Sequence, residues 1–169
     1  MNKTWVKLRP VLENDLAMLR RFATEPGLVG SEWSGFRDLS MIGRRFAVDA
    51  FLGADDGRLI VEVDDTAGGF VSWRTAGQDP ARYWSIGIVL LPEWRGRGVG
   101  WRAQTLLCDY LFAHTPVQRI EAAAQLDNVA EHKALEKVGF QREGVLRSAD
   151  FRDGQWRDIV IFGRVRGDR

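Results

Sequence analysis

Apolar positions recur along this chain with two spacings, every second residue and every third or fourth. The places where one gives way to the other delimit its elements. Thr4–Arg9 alternates, which predicts a strand closed by Pro10. Leu12, Leu16, Leu19 and Ala23 share one helical face, predicting a helix over Glu13–Ala23 capped by Asn14. Thr24–Phe36 is rich in Gly, Pro and Ser and reads as loop. Leu39, Ile42, Phe46 and Ala50 predict a second helix over residues 38–50. Arg58–Val63 and Gly69–Trp73 predict a hairpin around a turn at Asp64–Gly68, followed by a polar connection at Thr75–Arg82. Tyr83–Leu91 is almost continuously apolar, which predicts a strand buried on both faces. Gly87 interrupts it and predicts a bulge or a close backbone approach.

Beyond a glycine-dense turn, Ala103, Leu106, Leu107, Tyr110 and Leu111 give a helical stripe, and Pro116 follows its end. Arg119–Leu126 predicts a strand, and Asp127-Asn128 introduces a short helix with Ala130, Ala134, Leu135 and Val138 on one face and Gly139 as its C-terminal cap. Gln141–Phe151 and Gln155–Val165 predict two strands joined by Arg152-Asp153-Gly154, with the tail from Arg166 frayed. Strands and helices interleave without repeats or a linker, so residues 1–169 predict a single α/β domain with a mixed sheet.

The glycine turn carries the chemistry. Gly96, Gly98 and Gly100 alternate with Arg97 and Val99 where strand becomes helix, a place where converging N–H groups and the helix dipole favour a phosphate. A nucleotide P-loop would need Gly-Lys-Ser or Gly-Lys-Thr, which the turn lacks. A dinucleotide fingerprint started at Gly96 meets Trp101 instead of glycine. Started at Gly98 it meets Ala103, an allowed residue, but Pro92-Glu93-Trp94 separates the turn from its strand. The third reading is Arg-x-x-Gly-x-Gly, filled by Arg95, Gly98 and Gly100.

Composition narrows the partners. Lys and Arg number 24 against 23 Asp and Glu, a net charge of +1, without the basic excess of a nucleic-acid binder. Cys108 is the only cysteine and His114 and His132 the only histidines, so neither a disulfide nor a metal site is expected. No apolar run approaches membrane-spanning length and the start has no apolar leader, so the expected setting is cytoplasmic, away from a membrane. Trp5, Trp73 and Trp156 lie in strand-like runs and are expected in the core. Trp33 and Phe36 lie in a loop, where they either plug the core or line a pocket.

With Arg95-x-x-Gly98-x-Gly100, the run Ile86–Gly100, the segment from Asn128 to Lys137-Val138-Gly139-Phe140, and the terminal Glu143–Arg147 and Asp153–Asp158, the sequence resembles the GCN5-related N-acetyltransferases (GNAT), in their RimJ/RimL-like branch. The resemblance implies a GNAT fold: a mixed, mostly antiparallel sheet of about seven strands flanked by about four helices, splayed between the fourth and fifth strands. It implies acetyl-CoA as co-substrate, with the pyrophosphate on Arg95, Gly96, Arg97, Gly98, Val99, Gly100 and Trp101. The pantetheine arm would bond the main chain of Val89 and Leu90 and the side chain of Asn128.

The implied reaction moves an acetyl group to a primary amine, a protein N-terminus or a small molecule, by direct attack. The family's usual Ser or Tyr acid is replaced by Glu131 and Leu135, and its strand glutamate by Ser85. Glu121 and Glu131 are the remaining candidates, Glu121 more readily paired structurally and Glu131 exposed in a first helical turn. These departures leave open a non-catalytic acyl-CoA-binding domain. Trp33 and Phe36 fall where the resemblance places acceptor contacts, and an exposed Trp or Phe near the terminal hairpin would point to a homodimer.

Overall fold

The computed structural model describes residues 4–168, so the first residues of the N-terminal segment and Arg169 lie outside the described residues. In chain order the elements are β1 (Val6–Arg9), α1 (Leu16–Thr24), α2 (Pro26–Val29), α3 (Ser40–Asp49), β2 (Asp56–Val63), β3 (Thr66–Ala76), β4 (Tyr83–Leu90), α4 (Val99–His114), β5 (Arg119–Gln125), α5 (Val129–Val138), β6 (Gln141–Arg152) and β7 (Gln155–Val165). The strands form one seven-stranded sheet in the order β1-β2-β3-β4-β5-β7-β6. Every pairing is antiparallel except β4 with β5. No helix among the described residues is long and apolar enough to cross a membrane.

Period-2 burial sorts the sheet into two apolar faces. On one, Val61, Val71, Ile86, Ile120 and Ala122 pack under α4 and α5. On the other, Ile60 and Phe70 pack under α1 and α3, with Leu16, Leu19 and Phe51. The α4 stripe is rotated from the expected one. Leu106 and Tyr110 stay largely exposed, while Val99, Ala103, Gln104, Leu107, Cys108 and Leu111 are buried, because the sheet meets the side centred on Leu107. On α5, Ala130 likewise faces out and Leu135 and Val138 face in. Trp73 is buried as expected, but Trp5 and Trp156 are 64% and 66% exposed. Trp5 precedes the edge strand, and Trp156 sits on a hairpin reaching past the helices, where it stacks on Phe151 at 5.4 Å.

Local chemistry explains where the elements begin and end. Asp64 and Asp65 both take positive φ, so the β2–β3 turn is tighter than expected and β3 starts at Thr66. Asp153 and Gly154 do the same between β6 and β7. The expected loop after α1 instead forms the single-turn α2, begun by Pro26, and a short 3-10 turn at Gly30–Glu32. Asn14 does not cap α1. Asp15 accepts the Leu12 N–H at 2.8 Å and holds both Nη groups of Arg9, at 2.6 and 2.9 Å. Arg9 also meets Glu62, which Lys7 reaches at 2.6 Å. Nor does the tail fray at Arg166, whose guanidinium donates to the carbonyls of Phe112, Thr115 and Val117.

The Arg9–Asp15–Glu62 cluster ties α1 to the sheet. Burial alone would raise the Asp15 carboxyl, but the bonds from Arg9 and Leu12 outweigh it and hold it low; those from Lys7 and Arg9 hold Glu62 low. Both carboxylates therefore stabilise the fold above their unfolded-state range, and that contribution is lost as pH falls through their lower folded values. Asp15→Ala removes two of the bonds of a half-buried guanidinium and leaves it Glu62 alone, and is expected to cost about 2 kcal/mol, read by urea denaturation at pH 7. The difference from wild type should shrink in acid.

Candidate active site

The site begins where β4 leaves β5. The two strands pair only at Trp84↔Ile120, Ser85↔Glu121 and Ile86↔Ala122, and from Gly87 they diverge into a slot. On its other side β4 stays paired to β3 without a break, from Ala76↔Tyr83 to Gly69↔Leu90, so Gly87 is not a bulge. A Cβ on Gly87 would meet only Ser72 Oγ, at 3.6 Å, so the face of β4 beside the slot is open there. The slot also explains why β4 is not buried on both faces: Gly87 is exposed, and Ile88, Val89 and Leu90 are half-buried.

The register decides which main-chain groups face the slot. Leu91 N–H donates to Gly68 O at 2.9 Å, which makes Val89 and Phe70 the next hydrogen-bonded pair. The amide groups of Val89 therefore turn toward β3, contrary to the expectation that they face the cofactor. Those of Ile88 and Leu90 face the slot. Leu90 O already accepts from Arg95 Nε at 2.9 Å. Arg95 also donates to Leu28 O, so its guanidinium clamps α2 to the end of β4.

The turn after β4 delivers the start of α4 to the slot. Gly98 takes φ +74°, a left-handed conformation, and Val99 is fully buried, which fixes the first turn of α4. The N–H groups of that turn, at Val99, Gly100 and Trp101, have no partners within the helix. Gly100 abuts the Leu90 side chain, and Gly96, like Arg97, is exposed. Arg97 lies over the Trp94 ring at 5.6 Å, and Lys137 over Trp101 at 4.8 Å. The end of the slot is thus lined by unpaired N–H groups and cations, a setting for a polyanion.

Asn128 caps α5 at the far side, accepting the Glu131 N–H at 3.2 Å. Its side chain also bonds the Glu32 carboxylate, so one residue links the slot to the segment after α2. Glu131 is half-buried, not exposed as expected from its first-turn position. Burial pushes its carboxyl up, Glu32 nearby adds to this, and the buried Gln104 amide on α4 offsets part. Glu32 is pushed up as well, by partial burial and by Asp150.

Glu121 is tied into a pair with Arg119 at 2.9 Å, and Arg119 also holds Glu143 at 2.6 Å. His132 is half-buried; its Nε2 lies 2.9 Å from Gln125 O and its ring packs on Phe162. Burial pushes the Cys108 thiol up to about 12, which leaves it inert.

Two cavities open on the α1–α3 face of β4. One, of about 520 Å³, lies over Ser72, Ser85 and Gly87. The other, of about 590 Å³, is walled by Leu19, Phe22, Trp33, Ile42 and Phe70 and reaches the Val89 side chain. They share Arg37, Arg45, Phe51 and Arg58. Trp33 is half-buried and stacks edge-on with Phe36 at 5.0 Å, while Phe36 is 77% exposed. Trp33 lines the cavity wall and Phe36 covers it from outside. Arg58, Glu32, Gln104 and Ile88 escaped the sequence, since no motif marks them. Among the described residues no group of three or more His, Cys, Asp or Glu could hold a metal ion.

Residues 6–141 match the acetyltransferase (GNAT) domain. The chain belongs to the GNAT acetyltransferase family. Spermidine N(1)-acetyltransferase of Escherichia coli (strain K12) is 26% identical to this GNAT N-acetyltransferase over 165 residues, covering 92% of this chain and 83% of that protein. The probable N-acetyltransferase YjcK of Bacillus subtilis (strain 168) is 36% identical over 83 residues, 49% of this chain. There the match spans about half of the relative, 46%. In fold, spermidine N-acetyltransferase from Vibrio cholerae, in complex with CoA and spermine, superposes with a TM-score of 0.83 at 18% identity over 96% of both chains. Mycobacterium smegmatis RimJ in complex with CoA-disulfide superposes at 0.78 and 24% identity, over 95% of this chain and 81% of that one. The splayed, mostly antiparallel sheet of this GNAT protein is the architecture those structures share.

Gly69 sets the spacing of β3 and β4 beside the slot. It has φ +153°, and a Cβ there would run into the Val89 carbonyl oxygen. Gly69→Ala is expected to cost about 2 kcal/mol and to lower melting, because only backbone can yield. Gly87→Ala, with open space around it, should melt like wild type. Thermal denaturation of the two variants side by side checks both.

Proposed function

We propose that this GNAT protein binds acetyl-CoA in the β4–β5 slot and transfers the acetyl group to a primary amine held in the cavities on the α1–α3 face. The observation that carries this reading is the slot itself. It has unpaired N–H groups of α4 at one end, the main-chain groups of Ile88 and the N–H of Leu90 along its side, and Glu131 at its far side. The relatives solved with CoA support the choice of ligand.

The pyrophosphate would rest on the N–H groups at Val99–Trp101, with Arg97 adding charge and Gly96 and Gly98 shaping the turn. Arg95 acts by holding Leu90 and α2. The pantetheine arm would pair with Leu90 and Ile88 as an added strand, and the Ile88 N–H would polarise the thioester carbonyl. Asn128 would steady the arm while it caps α5. A neutral amine attacks from the acceptor side and the coenzyme A thiolate leaves. Glu131, with its raised carboxyl, is the group to protonate that thiolate, and Glu32 at the cavity rim is the group to take the ammonium proton through water. Glu121, engaged with Arg119, serves the sheet. Trp33 and Phe36 form the acceptor wall.

A buried, unpaired Cys108 suits a reducing cytoplasm. The exposed apolar hairpin carrying Leu146, Phe151 and Trp156 fits a second copy of the chain, which the mass in solution would reveal.

Release of coenzyme A thiol from acetyl-CoA across a panel of amines tests the reading, and absence of release with every amine overturns it. Glu131→Gln should lower kcat about 10- to 100-fold with little change in the acetyl-CoA KM. An acid works only when protonated, so wild-type kcat should fall as pH rises through the raised Glu131 pKa, and the variant should lose that alkaline limb. Trp33→Ala should raise the acceptor KM and leave that of acetyl-CoA alone.

A further inference from the structure

Arg58 stands at the junction of the two cavities on the acceptor face. It projects from β2 in register with Ser72 on β3 and Gly87 on β4. Strands lie about 4.8 Å apart, so the Arg58 and Gly87 backbones are separated by about 10 Å, a gap that the arginine side chain and a small acceptor together would span. Its guanidinium lies 4.2 Å from the centroid of Phe70, the direct partner of Val89, and 5.0 Å from that of Phe51.

The aromatic faces satisfy only part of this charge. Among the described residues Arg58 makes no ion pair, and its Nε is buried without a hydrogen-bond partner. The carboxylate whose charge reaches it, Asp56, is taken by Arg45 through two bonds of 2.9 and 2.7 Å. Burial lowers the Arg58 pKa to about 10, the neighbouring charge of Arg45 adds to this, and that of Asp56 offsets part. A half-buried guanidinium that keeps its charge without an ion pair of its own, its Nε shut off from water, is a cost to the fold, and such costs cluster at ligand sites.

We propose that the acceptor carries a carboxylate close to its amine, and that Arg58 binds it from between Phe51 and Phe70. This rests on the acetyl-transfer reading of the same site. The amine then lies toward Gly87 and Val89, where the thioester is placed, and the apolar part of the acceptor enters the cavity walled by Phe22 and Trp33. An acceptor of this kind is an amino acid with an apolar or aromatic side chain. A polyamine, the substrate named for the Escherichia coli relative, would bring further cations against an uncompensated one.

Matched acceptors test the proposal: phenylalanine with phenethylamine, tryptophan with tryptamine, and leucine with isoamylamine, with spermidine alongside. Thiol release should favour the carboxylate member of each pair by about 10- to 100-fold in kcat/KM, the range of a charge-assisted hydrogen bond. Arg58→Met should collapse that ratio toward one, and Arg58→Lys should give an intermediate ratio. Arg58→Met should also melt higher than wild type, because it removes a buried charge, whereas a merely structural arginine would lower melting when replaced.

A second readout needs no turnover. N-acetyl-phenylalanine should raise the melting temperature of wild type and not of Arg58→Met, and its carboxamide should raise neither. No thiol release with this stabilisation intact would defeat acetyl transfer and leave the carboxylate site standing. Equal stabilisation by acid and amide, or preference for the decarboxylated amines or spermidine, would overturn the proposal.

Discussion

The divergence of β4 from β5 is the constraint on which the rest of the structure depends. A parallel pair that stops at Ile86 and Ala122 leaves main-chain groups in the middle of a sheet without their natural partners. The gap persists because each strand is held from its other side: β4 by β3 along its whole length, and β5 by β7 from Arg119 to Gln125. Arg95 satisfies one of the freed carbonyls, at Leu90. The others remain for an extended ligand, and this is how a sheet becomes a binding slot without any special residue along it.

The two faces of the slot have opposite electrostatic character. Around α5 the exposed Glu32 and half-buried Glu131 carboxyls are pushed toward the neutral form, with Asn128 touching both residues. Under α1 and α3 the arginines dominate, and Arg58 makes no ion pair among the described residues. The first environment suits proton transfer and the second suits anion recognition. Each is a cost to the folded state where no ligand is bound, and each lies within reach of the same stretch of β4.

The sequence by itself carried the element order, the glycine turn feeding α4, the Asn128 cap of α5 and the Asp-Gly hairpin near the end. These follow from local rules of period, capping and turn conformation, which act over a few residues. The same rules failed where contacts are distant. Asn14 lost the cap because a 3-10 turn over Glu13–Asp15, held by the bonds of Asp15 to Arg9 and the Leu12 N–H, precedes α1, and Trp5 and Trp156 lie exposed at the margins of the sheet. Glu131 reads as a surface residue from its position in the helix, and only the approach of α4 and the segment after α2 buries it. The faces of α4, the turn of Val89 away from the slot and the isolation of Arg58 depend on strand register and on which carboxylate each arginine reaches. Tertiary packing decides those, because burial and pairing are set by neighbours far along the chain.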